Sequence, residues 1–180
     1  MGPAKVGDDP REVVVGVSPA FGVRLFRTLS GIPLDELVKE IVAGIEDGGG
    51  KCRIVRMLHT ADTSFLGLSA ARLSGSKVGI GIQAKGTAVI HHADRLPHNN
   101  LELFSNAPIT TLKHYRGLGY NAARHALGEL PEPVVVPNHG EAMGSRFHAR
   151  VALIYAIETG LAADGAAPEE IAVTFAEVPA

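Results

Sequence analysis

The segment Val78-Gly79-Ile80-Gly81-Ile82 constrains this chain most. Aliphatic residues alternate with glycine, so one face of the implied strand is apolar and the other is bare backbone. A glycine face lets something bulky approach the main chain. The run then breaks at Gln83-Ala84-Lys85-Gly86-Thr87 and resumes as Ala88-Val89-Ile90. That is strand, turn, strand, with a lone lysine at the turn. Two readings follow. Either Lys85 is a solvated hairpin tip, or it grips a polar group on a large ligand lying against the bare backbone.

The rest of the chain reads as an α/β domain. Val13-Val14-Val15-Gly16-Val17 is a continuous apolar run, the mark of a strand buried on both faces. Pro33 opens a helix whose stripe is Leu34, Leu37, Val38, Ile41, Val42 and Ile45. Gly48-Gly49-Gly50 ends it as a C-cap; a phosphate loop would open a helix instead. Arg53 to Leu58 is the next strand, which makes a βαβ unit with parallel pairing. Two further helices are expected near 110–127 and 141–159. The first carries Leu112, Tyr115, Leu118, Ala122 and Ala126 on one face. The second carries Met143, Phe147, Val151 and Ile154, with Asn138 and Glu141 at capping-box spacing. Ile171, Val173 and Phe175 alternate as a last strand. Residues 1–11 are expected to be a flexible leader, and 12–180 a single domain.

Several function classes are disfavoured. Net charge is −2 with no basic block, so a nucleic-acid partner is not indicated. No apolar stretch is long enough to span a bilayer. Cys52 is the only cysteine, which rules out an internal disulfide, fits a reducing compartment and reads as a small buried residue. Gly79-x-Gly81 lacks the third glycine of a dinucleotide-binding fingerprint. The eight histidines show no metal-ligand spacing: His91 and His92 are adjacent, and His114 and His125 lie about three helical turns apart. No G-x-S-x-G elbow occurs. What remains is a binding surface on strand-end loops, which carry Asp62, Lys85 and the Asn99–Asn100 pair.

Several segments, in order, point to one family. They are Val17-Ser18-Pro19-Ala20-Phe21-Gly22, Glu40 to Glu46, Leu73-Ser74-Gly75-Ser76, Gly81 to Thr87, Asn100-Leu101-Glu102-Leu103-Phe104, and Tyr115-Arg116 with Gly119 and Asn121-Ala122-Ala123. Together they resemble the medium (beta) subunit of adenosylcobalamin-dependent diol and glycerol dehydratases, from about Val13 to Thr159. The resemblance implies a three-layer Rossmann-like domain, with a mostly parallel central sheet and flanking helices. It implies large (alpha) and small (gamma) partner subunits and a reactivating chaperone. The complex would dehydrate 1,2-propanediol or glycerol to the aldehyde by a radical route housed in the large subunit. This chain would carry no catalytic residue and would cover the nucleotide-loop side of the cobalamin.

By the same resemblance, Asp62, Lys85 and Asn100 match the family's cofactor contacts. The fourth position, a proline in the family, is Ser105 here. Cobalamin presents peripheral amides and one phosphate, which suit a carboxylate, an ammonium and a carboxamide. No D-x-H-x-x-G sequence occurs, in keeping with cobalamin that retains its own base. Each residue also has a plain structural reading: Asp62 as a helix N-cap, Asn100 as a turn former. A cytoplasmic or microcompartment-associated setting is expected, although the short leader shows no amphipathic pattern. The alternative is the small subunit of the dehydratase-reactivating chaperone, an interaction module that resembles the medium subunit and is typically shorter.

Overall fold

The computed structural model describes residues 2–104, 108–136 and 143–172. Ser105, the Asn138–Glu141 capping box, the Met143 side chain, Val173 and Phe175 fall outside the described residues. Ten elements follow in order: β1 (Glu12–Val17), α1 (Leu34–Asp47), β2 (Lys51–Arg56), α2 (Thr63–Leu73), β3 (Val78–Ile82), β4 (Ala88–His92), β5 (Glu102–Phe104), α3 (Leu112–Ala126), α4 (Met143–Gly160) and β6 (Glu169–Ile171).

The six strands form one sheet in the order β5-β4-β3-β1-β2-β6. β1 pairs in parallel with β2 and with β3, as the βαβ reading expects. Parallel pairing is confined to this centre. β4, β5 and β6 all join antiparallel, so the mostly parallel sheet expected from the resemblance holds only for the middle strands. The cause is local. The turn of residues 83–87 is too short for a crossover and can only return the chain antiparallel.

The two faces of the sheet are packed differently. Val13, Val15 and Val17 of β1 and Val78, Ile80 and Ile82 of β3 point one way, into a cluster with Leu37, Ile41 and Ile45 of α1 and Tyr115, Leu118 and Ala122 of α3. α1 and α3 cross backbone to backbone. A Cβ at Gly44 would lie 2.9 Å from Tyr120 N, and one at Gly119 would lie 3.0 Å from Ile45 N. Val14, Val55 and Met57 point the other way and pack on Leu66 and Ala70 of α2.

α2 was not among the expected helices. Its buried residues, Thr63, Leu66, Gly67, Leu68, Ala70 and Ala71, are mostly small and cover too wide an arc to give an amphipathic stripe. It explains the glycine face. A Cβ at Gly79 would lie 2.6 Å from the Ala70 carbonyl carbon, and one at Gly81 would lie 2.6 Å from Thr63 O and 2.7 Å from Gly67 Cα. The body that approaches the bare backbone is therefore helix α2, not a ligand. The glycines still serve the strand-end surface indirectly, because they set how close the N-terminus of α2 comes to the turn after β3.

Residues of the expected leader run along this framework. Ala4 N donates to Pro168 O and Gly7 N to Leu73 O, both at 2.8 Å. Lys51 Nζ reaches Asp9 at 2.5 Å, and Arg53 bonds both Glu12 oxygens at 2.8 and 3.1 Å. Cys52 packs against the main cluster. Burial pushes its thiol up to about 12, which fits the reading of a small packed residue. Among the described residues no helix is long and apolar enough to cross a membrane.

Candidate functional site

The parallel strands end at Val17, Arg56 and Ile82, so the loops that follow gather on one edge of the sheet. β2 and β3 lie on opposite sides of β1, which makes the gap between β1 and β3 a topological switch point. Open α/β sheets take ligands there.

Lys85 sits on this edge, and its main chain is held from several sides. Leu29 N donates to Lys85 O at 3.1 Å. Gly86 N donates to Gln83 O at 2.9 Å, and Gln83 N donates to Thr87 O at 3.0 Å, closing the turn. Gly86 has φ 104, a left-handed value that glycine adopts without strain. Tyr115 Oη donates to Gly86 O at 2.8 Å from beneath. Tyr115 is fully buried; burial pushes its phenol up, partly offset by a hydrogen bond with Thr110. Tyr115→Phe is expected to lower stability by about 1–2 kcal/mol, because Gly86 O and Thr110 both lose a partner. A lower urea midpoint with an unchanged slope would show it.

The Lys85 side chain is half-buried yet forms no ion pair within 4.0 Å among the described residues. Burial lowers its pKa, and the Asp62 carboxylate pulls it back up. The structure thus brings Asp62 and Lys85 within electrostatic reach of each other, without a direct ion pair. Asp62 is the N-cap of α2: Oδ1 accepts from Ser64 N at 2.9 Å and from Phe65 N at 3.1 Å. The cap reading of Asp62 therefore holds, and it leaves Oδ2 on an exposed residue available to a ligand.

Asn100 is not in the Lys85 turn. Glu102 pairs with Ile90 and Phe104 with Ala88, so continuing the register sets Asn100 level with His92, at the opposite end of β4. Its segment turns back toward α2. His98 meets Phe65 edge to face at 5.9 Å, and His91 Nε2 contacts Pro97 O at 3.0 Å. Asn100 Oδ1 is buried without a hydrogen-bond partner among the described residues.

Sequence reasoning missed two residues of this surface. Gln83 is buried and donates through Nε2 to Ala61 O, tying the β3 turn to the residue before Asp62; its Oε1 has no partner among the described residues. Phe65 is 42% exposed one turn from Asp62, an apolar platform beside the charges. The period of α2 would have flagged Phe65, had the helix been legible.

This edge can do limited chemistry. One ammonium, one carboxylate and an exposed aromatic suit gripping a ligand that offers both donors and acceptors. Among the described residues no three His, Cys, Asp or Glu side chains converge as a metal site.

Comparisons with known proteins place this edge in context. Among solved structures, a glycerol dehydratase reactivase is 24% identical with a TM-score of 0.53, over 66% of this chain and 95% of that one. That likeness is one of fold. A diol dehydratase-reactivating factor, solved with ADP and Mg2+, is 20% identical with a TM-score of 0.48, over 77% of this chain and 100% of that one. The family model described as dehydratase medium subunit matches residues 18–132. That span is more than half of the chain and runs from the loop after β1 through Asp62, Lys85 and Asn100 to the end of α3. On that match the chain belongs to the dehydratase medium subunit family.

Proposed function

We propose that this chain is the medium subunit of an adenosylcobalamin-dependent diol or glycerol dehydratase, and that its strand-end surface covers one side of the cobalamin. One observation carries the reading. The Lys85 ammonium is held by its main chain at the sheet edge, partly desolvated, beside Asp62 and without a close ion-pair partner among the described residues. A cation kept in that condition suits an outside acceptor, such as an amide carbonyl or phosphate oxygen. Asp62 Oδ2 would accept from amide N–H groups. Asn100, whose amide oxygen has no partner among the described residues, would add a contact some distance away, which a broad macrocycle has the span to reach. Ser105 would stand at the fourth contact.

Bound adenosylcobalamin supplies radical chemistry, and nothing in this chain would take part in it. The residues here would bind and orient the cofactor, with Phe65 excluding water beside the charges. The large (alpha) and small (gamma) subunits would complete the assembly, and the isolated chain would be inactive, binding cobalamin weakly because half of the site is missing. Helices packed on both faces of the sheet support the Rossmann-like, three-layer description. Exchange with a reactivating chaperone fits the shared fold. The chaperone-subunit alternative is disfavoured by length: the reactivase is covered to 95% while matching 66% of this chain.

Co-expression with candidate large and small subunits tests the proposal. The expected result is a co-purifying complex with a cobalamin spectrum that releases aldehyde from 1,2-propanediol or glycerol. A complex that fails to form, or that hydrolyses ATP without dehydrating diols, would contradict it.

A further inference from the structure

The switch point between β1 and β3 is filled by this chain itself. Glu158 of α4 is 1% exposed and enters the gap from the C-terminal region. Ser18 Oγ, after β1, donates to Oε1 of Glu158. Ala20 N donates to Oε2 at 2.8 Å. Ala84 N, after β3, donates to Oε1 at 3.1 Å and lies 3.2 Å from Ser18 Oγ. Neither amide has a backbone acceptor among the described residues, so both loops present N–H groups that strand pairing leaves over. Arg56, at the end of β2, is within electrostatic reach of Glu158 and anchors the same loop through a 2.8 Å bond to Phe21 O. Buried donors converging from two strand-end loops, with a cation behind them, are the parts of an anion site.

We propose that the loops after β1 and β3 form a carboxylate-binding cradle, that Glu158 is its built-in occupant, and that by fixing Ala84 it positions the adjoining Lys85 turn. The side chain is 138 residues away from Ala20 in sequence, so α4 acts as a clip across the switch point. A ligand that enters this edge must lie over Lys85 and Asp62, because the deeper pocket is occupied. The part of the inference that concerns cobalamin rests on the proposed function. The cradle does not.

The test is Glu158→Ala in the full chain, labelled with nitrogen-15 and titrated with formate, with formamide and chloride as controls. The expected result is saturable shifts of the Ala20 and Ala84 amides with formate, absent with either control. A folded variant that shows no formate-specific shift would overturn the cradle. If the variant does not fold in plain buffer, formate and not formamide should restore the folded spectrum; equal restoration, or none, would also overturn it. Glu158→Gln gives a second route. Its oxygen can still serve Ala84 and Ser18, while its NH2 faces the Ala20 amide, so the Ala20 resonance should move far more than that of Ala84. Equal or absent movement would count against the assignment. In the assembled complex, Glu158→Ala should weaken cobalamin binding by about tenfold, with recovery in formate. Shifts without that loss would leave the cradle standing and overturn the positioning role. A wild-type complex that binds no cobalamin would instead count against the proposed function, and the amide titration would still decide the cradle.

Discussion

Gly81→Val should destabilise the chain by about 3 kcal/mol or more, at the upper end of over-packing substitutions. A Cβ at this position would stand 2.6 Å from Thr63 O and 2.7 Å from Gly67 Cα, both main-chain atoms of α2. No rotamer change can relieve a clash with backbone, so the helix must lift as a body. Lifting it would strip cover from Val14, Val55 and Met57. It would also carry the Asp62 cap away from Lys85, because Asp62 is fixed to the first turn of α2. Gly160→Ala is the control: its Cβ would meet nothing within 4 Å, and alanine suits a helix better. A urea midpoint for Gly81→Val equal to that of the parent would mean that α2 does not sit on the glycine face.

The same residues show what could be read from sequence and what could not. β1 announced itself as an unbroken apolar run, because both of its faces are buried, whereas α1 and α3 showed a helical period, because each turns one apolar side to the main cluster. α2 did not, since close contact with a glycine strand calls for small residues on a wide arc, which erases the amphipathic contrast. β5 reversed the usual rule. Glu102 is 8% exposed and Leu103 is 57% exposed, so alternation by polarity pointed the wrong way. The reversal has a physical source: Glu102 accepts from Asn121 Nδ2 at 2.7 Å and from Val134 N at 3.2 Å, which satisfies a carboxylate inside the fold. Those partners come from α3 and the segment after it, beyond the reach of a local pattern.

The candidate site was legible in chemistry more than in place. Asp62 and Lys85 were named from their residue types within matched segments, and the fold puts them together. Asn100 was named with them, but strand register sets it at the far end of β4. The glycine face invited a ligand reading that α2 fills. Ser18 and Glu158, 140 residues apart, form a contact that no spacing rule could suggest.

Lys85→Met in the assembled complex probes the central claim most directly. Methionine removes the charge while keeping much of the apolar stem, so the turn, which is held through main-chain bonds to Leu29, Gly86 and Thr87, stays in place. If the ammonium grips the cofactor, one charge-assisted hydrogen bond is lost, about 1.5–3 kcal/mol. The dissociation constant for adenosylcobalamin should then rise by roughly tenfold to a hundredfold. Turnover at saturating cofactor should change little, because Lys85 would hold the cofactor without joining the reaction. A constant within twofold of the parent's, in a complex that still assembles, would remove Lys85 from the site and with it the reading of this sheet edge as the cover of a cobalamin.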